Sequence, residues 1–479
     1  MILAASSSGQ QIVWSTSLGG TYNEGGYSCV QTADGGYAVV GSTFSFGFGD
    51  FDIYLVKFNS EGDTVFTRTY GGTMAEYGYE IQSTSDGGFV IVGSSMSYGF
   101  GMGDVYLVKV DSSGQMLWSH TYGGGEEDIG RSVRETSDHG FIICGTTKSF
   151  GLGYGDVYLV KTDSTGTTEW AKAYGGTAGE AGWAIRVCPD GGFVVSGATG
   201  SFGGGYSSVY AIRTESDGDT LWTRVFGGDK SDFGYGVQAT MDGGFIFAGA
   251  TASSGAGYSD AYLVKTDSVG AVDWEQTYGG PKDDRAYSVY PTADGGYVMA
   301  GITESSGAGK IDMYVVKTDP LGDVMWTRTY GGTKSDFARV VIEEQNLNFI
   351  LVGCTYSFTS GGSDLYVMKI GTPMATAIGD DRFAALPDGY ELIQNYPNPF
   401  NATTRIEFSL PVRSSARLTV YNLLGQQVRE WFMESLPAGQ FSVEWDGADG
   451  LGRTVASGVY LYSLRAGEYH DCRKMVLLK

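Results

Sequence analysis

The chain has 479 residues, 76 of them glycine, with 42% hydrophobic and 14% aromatic residues, and 31 Lys+Arg against 54 Asp+Glu give a formal net charge of −23. Enough apolar side chain is present for a large core, which excludes a disordered or collagen-like polymer, and the acidic balance disfavours a generic phosphate-backbone binder of nucleic acid, whose affinity comes largely from basic groups displacing counterions. No apolar stretch approaches the roughly 20 residues of a membrane helix, so no membrane-spanning segment is expected. At the N-terminus, Met1-Ile-Leu-Ala-Ala-Ser6 has the small residues that end a signal peptide but no basic region before them. Residues 1–10 are therefore expected to be the remnant of a leader that starts upstream.

From residue 11 to 371 the chain repeats itself every 52 residues. The triplet Asp-Gly-Gly begins at Asp34, Asp86, Asp190, Asp242 and Asp294, with Asp138-His-Gly and Asn346-Leu-Asn at the other two steps. Tyr54, Tyr106, Tyr158, Tyr210, Tyr262, Tyr314 and Tyr366 keep the same interval, as do Trp14, Phe66, Trp118, Trp170, Trp222, Trp274 and Trp326. Each unit reads as four short strands, a to d, between turn signals. In the fifth, a covers residues 235–240, b 245–251 and c 261–266, while d carries Trp274 and ends at Tyr278. The Asp-Gly pair marks the a-to-b hairpin, whose turn needs positive φ.

Four-stranded sheets of about 50 residues cannot hide both faces alone, and seven of them predict an all-β, seven-bladed β-propeller. The chain opens on a d-type strand around Trp14 and ends its repeats on a c-type strand around Tyr366. Lending the first strand to the last unit completes every blade and removes an exposed edge.

The phrase Thr162-Asp-Ser-Thr-Gly-Thr-Thr-Glu-Trp170 resembles the tryptophan-docking repeats of quinoprotein propellers, and Asp190-Gly-Gly-Phe-Val-Val-Ser-Gly197 resembles secreted bacterial β-propeller repeats. The resemblance implies that Trp14, Trp118, Trp170, Trp222, Trp274 and Trp326 pack between neighbouring blades. It does not extend to a pyrroloquinoline quinone site, since those enzymes usually have eight blades and this chain lacks their adjacent cysteine pair.

Residues 372–392 mix Pro, Gly, Ala and Asp without alternation, as a linker does. Over 393–479 a different β pattern follows, with Ile406, Phe408 and Leu410 alternating with polar residues, and a small Ig-like sandwich is expected. Tyr396-Pro-Asn-Pro-Phe-Asn401, Val420-Tyr-Asn-Leu-Leu-Gly425, Trp445-Asp-Gly-Ala-Asp-Gly450, Ser457-Gly-Val-Tyr460 and Lys474-Met-Val-Leu-Leu-Lys479 closely resemble C-terminal sorting domains of the type IX secretion system. They are also similar to the Ig-like domain of flagellar hook-capping proteins. The residues that carry the motif are Pro397, Asn398, Pro399, Phe400, Trp445, Asp446, Gly447, Lys474 and Lys479. The resemblance implies the type IX machinery as partner and export to the surface or exterior of a Gram-negative cell.

Two series could carry chemistry. A carboxylate five residues after the first Gly of each Gly-Gly recurs at Glu24, Glu76, Asp128, Glu180, Asp232, Asp284 and Asp336. Placed in the d-to-a connection, it would ring the channel mouth and could gather Ca²⁺, which takes oxygen ligands. The alternative is that each acid caps its turn's N–H groups or pairs with the recurring base at Lys57, Lys109, Lys161, Arg213, Lys265, Lys317 or Lys369. Asp52, Asp104, Asp156, Asp260, Asp312 and Asp364, with Ser208 in the remaining unit, read as structural. In strand a the positions in phase with Val30 are Gln82, Arg134, Arg186, Gln238, Tyr290 and Ile342. They alternate with the apolar Cys29 series, so they are expected to face the channel, where Gln82, Arg134, Arg186, Gln238 and Tyr290 would bind a carboxylate, phosphate or sugar; the alternative is an ordinary water-filled channel lined by assorted polar groups. The long b-to-c loops, such as Phe44-Ser-Phe-Gly-Phe-Gly-Asp50, mark the face expected to bind.

His120, His139 and His470 fall at unrelated phases, so no His metal site or Ser-His-Asp set assembles. Cys29, Cys144, Cys188 and Cys354 occupy apolar or small-residue phases and are expected as buried thiols. The expected role is binding or scaffolding of a glycan or protein by a secreted, monomeric and non-catalytic propeller. The alternative is an extracellular enzyme acting on polysaccharide or peptide.

Overall fold

The computed structural model describes residues 12–344, 348–359, 361–371, 390–401, 403–410, 414–436, 439–450, 453–467 and 469–478. The expected leader remnant, all but the last residues of the expected linker, Asn346 and Lys479 lie outside them. Two compact units result, Ile12–Gly371 and one holding the described residues from 390 onward. Among the described residues no helix is long and apolar enough to cross a membrane.

The first unit contains seven four-stranded antiparallel sheets that resemble propeller blades. The first of them runs Glu24–Gln31, Tyr37–Thr43, Asp52–Phe58 and Thr64–Tyr70 in spatial order. Strands b and c are buried along their whole length because sheets cover both faces, which is why they read as near-continuous Val, Ile, Leu and Ala. Seven apolar clusters fill the gaps between consecutive sheets. One joins Ile350, Val352, Leu365 and Val367 of the last sheet to Tyr37, Val39, Tyr54 and Val56 of the first. In that last sheet Ile12–Leu18 supplies the d strand, with Ser17 opposite Tyr366.

A backbone bond recurs between neighbouring sheets. The first residue of each strand a donates its N–H to the carbonyl just before the preceding sheet's strand c, as in Glu76 to Phe51 (2.6 Å) and Asp284 to Ser259 (2.7 Å). Glu24 to Ser363 (2.6 Å) makes the same bond between the seventh sheet and the first.

The tryptophans lie at these junctions. Trp118 packs on Phe141 (5.9 Å between centroids) and against Gly166 of the next sheet, and Trp222 on Phe245 (6.1 Å) and Gly270. Trp14, Trp170, Trp274 and Trp326 meet Tyr37, Phe193, Tyr297 and Phe349 in the same way.

Strand a differs from expectation in two respects. It begins three residues earlier in the fifth unit, at Asp232–Ala239, because the acid itself pairs with Thr251 of strand b. It also carries a β-bulge in every sheet, for example between Gly130 and Ser132, which leaves Arg131 without a partner across the ladder. The opposing glycine of strand b permits this: a Cβ on Gly145 would stand 1.8 Å from the Ile129 carbonyl oxygen. In the a-to-b turn only the residue after Asp takes positive φ, as at Gly35 (78°), and in the third sheet His139 takes it (63°).

The second unit is a sandwich of a three-stranded sheet (Glu391–Leu392, Thr404–Leu410, Gly439–Trp445) and a four-stranded one (Gln427–Leu436, Ser414–Asn422, Gly458–Ala466, Tyr469–Leu477). Phe400, Ile406, Phe408, Leu418, Trp445 and Tyr462 form its core.

Candidate functional site in the channel of the repeat unit

The seven acids cap their own turns, as the alternative reading has it. All are buried at the start of strand a, and each accepts the N–H of the residue four before it, from Gly72 to Glu76 at 2.6 Å to Gly228 to Asp232 at 2.9 Å. Strand b and its following loop add hydroxyl donors, such as Ser95 to Glu76 (2.8 Å) and Ser253 to Asp232 (2.8 Å). Asp128 and Asp284 each keep one oxygen without a donor, but they lie in different sheets. Among the described residues no three His, Cys, Asp or Glu side chains converge on a metal-sized site. Glu24, Glu76, Asp128, Glu180, Asp232, Asp284 and Asp336 thus do not fit Ca²⁺, because a hard cation needs several oxygens in one place. The recurring base is also elsewhere: Lys57 pairs with Asp34 (2.9 Å), Lys109 with Asp86 (2.8 Å), and Lys369 with Glu344 (2.8 Å).

The Asp52 series is buried beside these acids. A methyl group on Gly71 would collide with both Asp52 and Glu76, so this glycine is needed for close approach. Burial lifts the Asp52 carboxyl to about 6 against the bond from the Phe48 N–H, and Glu76 adds to the rise. Asp104, Asp156, Asp260 and Asp312 are raised for the same reasons.

The channel is lined by later positions of strand a. Its bulged residues are Tyr27, Tyr79, Arg131, Trp183, Tyr235, Tyr287 and Arg339, one per sheet. Two runs of contacts join them: Tyr27 on Tyr79 (5.7 Å) and Arg131 over Tyr79 (4.1 Å), then Trp183 on Tyr235 (5.1 Å), Tyr235 on Tyr287 (5.2 Å) and Arg339 over Tyr287 (4.5 Å). From this belt a cavity of about 440 Å³ extends toward the a-to-b turns, away from the long-loop end. Those loops expose aromatic tips, among them Phe100 (84%) and Tyr206 (88%).

Gln82, Arg134, Arg186, Gln238 and Tyr290 all line the cavity. The two arginines are not free, however. Glu80, a residue unassigned by the sequence reading, accepts from Arg134 (2.6 Å) and stands 3.8 Å from Arg186, and also accepts from Ser132 and the Val133 N–H (2.9 Å). Burial would raise the Glu80 carboxyl, but Arg134, Arg186 and Ser132 hold it below the ordinary range. Burial first, and then Arg134, press Arg186 down to about 9, still a cation at neutral pH. Gln238 accepts from the Arg186 Nε (2.8 Å), and Gln82 from the Glu135 N–H (2.8 Å).

Unbroken alternation along strand a from Val30 would turn residue 27 to the packed side. One bulge brings residues 27, 28 and 30 to the channel together. The available signal was the 52-residue series of five aromatics and two arginines itself.

Cys29, Cys144 and Cys188 are buried thiols, but Cys354 is only half-buried and Cys472 is exposed. In the sandwich, Phe400 and Trp445 are core, and Gly447 takes φ 69°. The Pro397 carbonyl accepts from Thr404 (2.8 Å), the Asn398 Oδ1 from the Val476 N–H (2.9 Å), and Asp446 from the Ala448 N–H (3.1 Å). Lys474 is exposed, its carbonyl accepting from Gln394 (2.9 Å).

Residues 396–468 match the family model of the FlgD Ig-like domain. No curated protein matches the chain. Among solved structures it is similar to PorZ, an essential bacterial surface component of the type-IX secretion system of Porphyromonas gingivalis, at 13% identity and TM-score 0.44, over 94% of this chain and 59% of PorZ. It is also similar to the extracellular domain of the one-component system BT4673 of B. thetaiotaomicron, at 12% identity and TM-score 0.42, over 96% of this chain and 57% of that one. A third is the WD40 domain of Neurospora crassa Pan2, at 9% identity and TM-score 0.45, over 73% and 89%. The chain spans less than two thirds of the first two.

Proposed function

We propose that this is a non-catalytic binding protein displayed outside a Gram-negative cell: a closed seven-bladed, tryptophan-docked β-propeller that takes a ligand, with a C-terminal sandwich serving as its type IX sorting domain. The observation that carries the binding role is the channel belt. The repeat keeps its cores, caps and junction bonds alike from sheet to sheet, while the residues lining the cavity differ. The junction bond from Glu24 to Ser363, equivalent to the six others, supports closure. A non-catalytic role is favoured by the cavity's acid chemistry. Its one lining carboxylate, Glu80, is held as an anion by Arg134, whereas glycoside hydrolysis takes two carboxyl groups in different states. The sorting role draws on the ordered motifs of residues 393–479 and on the FlgD-like match.

Fusion of residues 387–479 to a periplasmic reporter in a type IX-competent host tests the sorting role. Surface or medium appearance of the reporter is expected, and retention in the periplasm overturns it. Turnover of a polysaccharide or peptide by the purified chain would overturn the non-catalytic role.

A further inference from the structure

Resting on the reading of the channel as a ligand site, we infer that the cavity binds a small oxyanion-bearing molecule, a carboxylate or phosphate, through Arg131 and Arg339. Four guanidinium groups line this cavity and one carboxylate does, in a chain whose net charge is −23. Arg134 and Arg186 have Glu80 and Gln238 as partners. Arg131 and Arg339 have none of that kind. Their flat faces are covered by Tyr79 and Tyr287, and among the described residues neither makes a hydrogen bond or ion pair. The Arg339 Nε is buried without any acceptor.

A cation inside a protein is costly unless a counter-charge and hydrogen-bond acceptors reach it. A guanidinium stacked on an aromatic ring keeps its edge, with five donors in a fixed fork, for a planar or tetrahedral oxyanion. The cavity of about 440 Å³ lies within the roughly 300–1,000 Å³ of small-molecule sites. The acidic exterior repels anions at long range, so an anion that enters exchanges a repulsive field for an attractive one.

Calorimetric titration of the full chain with citrate, glucuronate, inorganic phosphate and, as the uncharged probe, glucose tests the inference. Binding of at least one anion, weakened by salt, is expected without binding of glucose, and the anion that binds separates carboxylate from phosphate as the source. Arg131→Gln and Arg339→Gln should each weaken it by roughly tenfold or more, the worth of a lost charge-assisted hydrogen bond. Arg224→Gln, at an exposed guanidinium over Trp222, should leave it unchanged. If a glutamine variant fails to fold, Arg339→Lys keeps the charge and removes the fork, and the same loss is expected. Absence of anion binding, equal binding of glucose, or unchanged affinity in the folded variants overturns the site. Such a result beside normal export of the reporter fusion leaves the surface-protein reading standing.

Discussion

The first residue of each innermost strand and the bulged residue three places on belong to the same short element, yet they behave oppositely across the seven sheets. The first is always acidic, always buried and always an acceptor for its own turn. The second is Tyr, Tyr, Arg, Trp, Tyr, Tyr and Arg, and it meets the equivalent residue of neighbouring sheets across a shared channel. Seven identical groups answer seven identical local needs. Groups that differ while sharing one space answer a requirement outside any single sheet, and that is where recognition is to be sought.

Substitutions can break this contrast. The largest effect is expected at Gly145, where an alanine Cβ would overlap the Ile129 carbonyl oxygen and forbid the bulge. Gly145→Ala should cost more than about 3 kcal/mol in urea unfolding, or prevent folding. Asp232→Ala strips acceptors from the Gly228 N–H, Thr251 and Ser253, and about 2–3 kcal/mol should be lost by the same measure. A loss below about 0.5 kcal/mol would make the acid dispensable to its sheet and reopen a role in binding.

The paired acids also set a pH dependence. Unfolded Asp titrates near 3.9, whereas Asp52 in the fold titrates at about 6. Between these values the folded state holds a proton that the unfolded chain has released, so stability falls as pH rises through the window. Asp104, Asp156, Asp260 and Asp312 act in the same direction. Asp34, Asp86, Asp138 and Asp242 oppose them: hydrogen bonds from Thr and Lys hold them at about 2, and that stability is lost only as pH falls from about 4 toward 2. The melting temperature should therefore be higher at pH 5 than at pH 7.5, with about 1 kcal/mol from Asp52 alone. A higher value at pH 7.5 would refute the pairing.

Smaller effects sharpen the comparison. His139→Gly relieves a left-handed residue and should gain about 1 kcal/mol in thermal unfolding. Arg339→Gln removes an unpaired cation from the belt and should leave stability unchanged or raise it. If it instead costs as much as Asp232→Ala, the belt is architecture and the contrast fails.

Much of the fold is legible in one sequence because repetition isolates local causes. The 52-residue interval, the turn glycines and the displaced d strand at Trp14 are each read without neighbours. Arg134 and Arg186 were legible as channel residues because alternation is a local rule, but their engagement by Glu80 was not, since Glu80 belongs to another sheet and sits next to a bulge. The acid series was legible only in part, for the converse reason. Its sevenfold persistence was visible, but which way each carboxylate turned depended on N–H and hydroxyl donors that only the folded corner brings together.

The sequence by itself determined what one unit needs: four strands, their turns, a tryptophan for the junction and glycines where the backbone turns left-handed. It also determined that the chain ends in a second β domain with its own aromatic core. Only the tertiary structure decided which groups meet across units. A bulge shifts side-chain direction by one residue, and the glycine that recurs every 52 residues at Gly145 and its equivalents has its cause, a closely approaching carbonyl, only in the folded sheet. Direction and proximity between distant residues are products of packing, and in this protein they place two unpaired arginines in the channel of an acidic molecule.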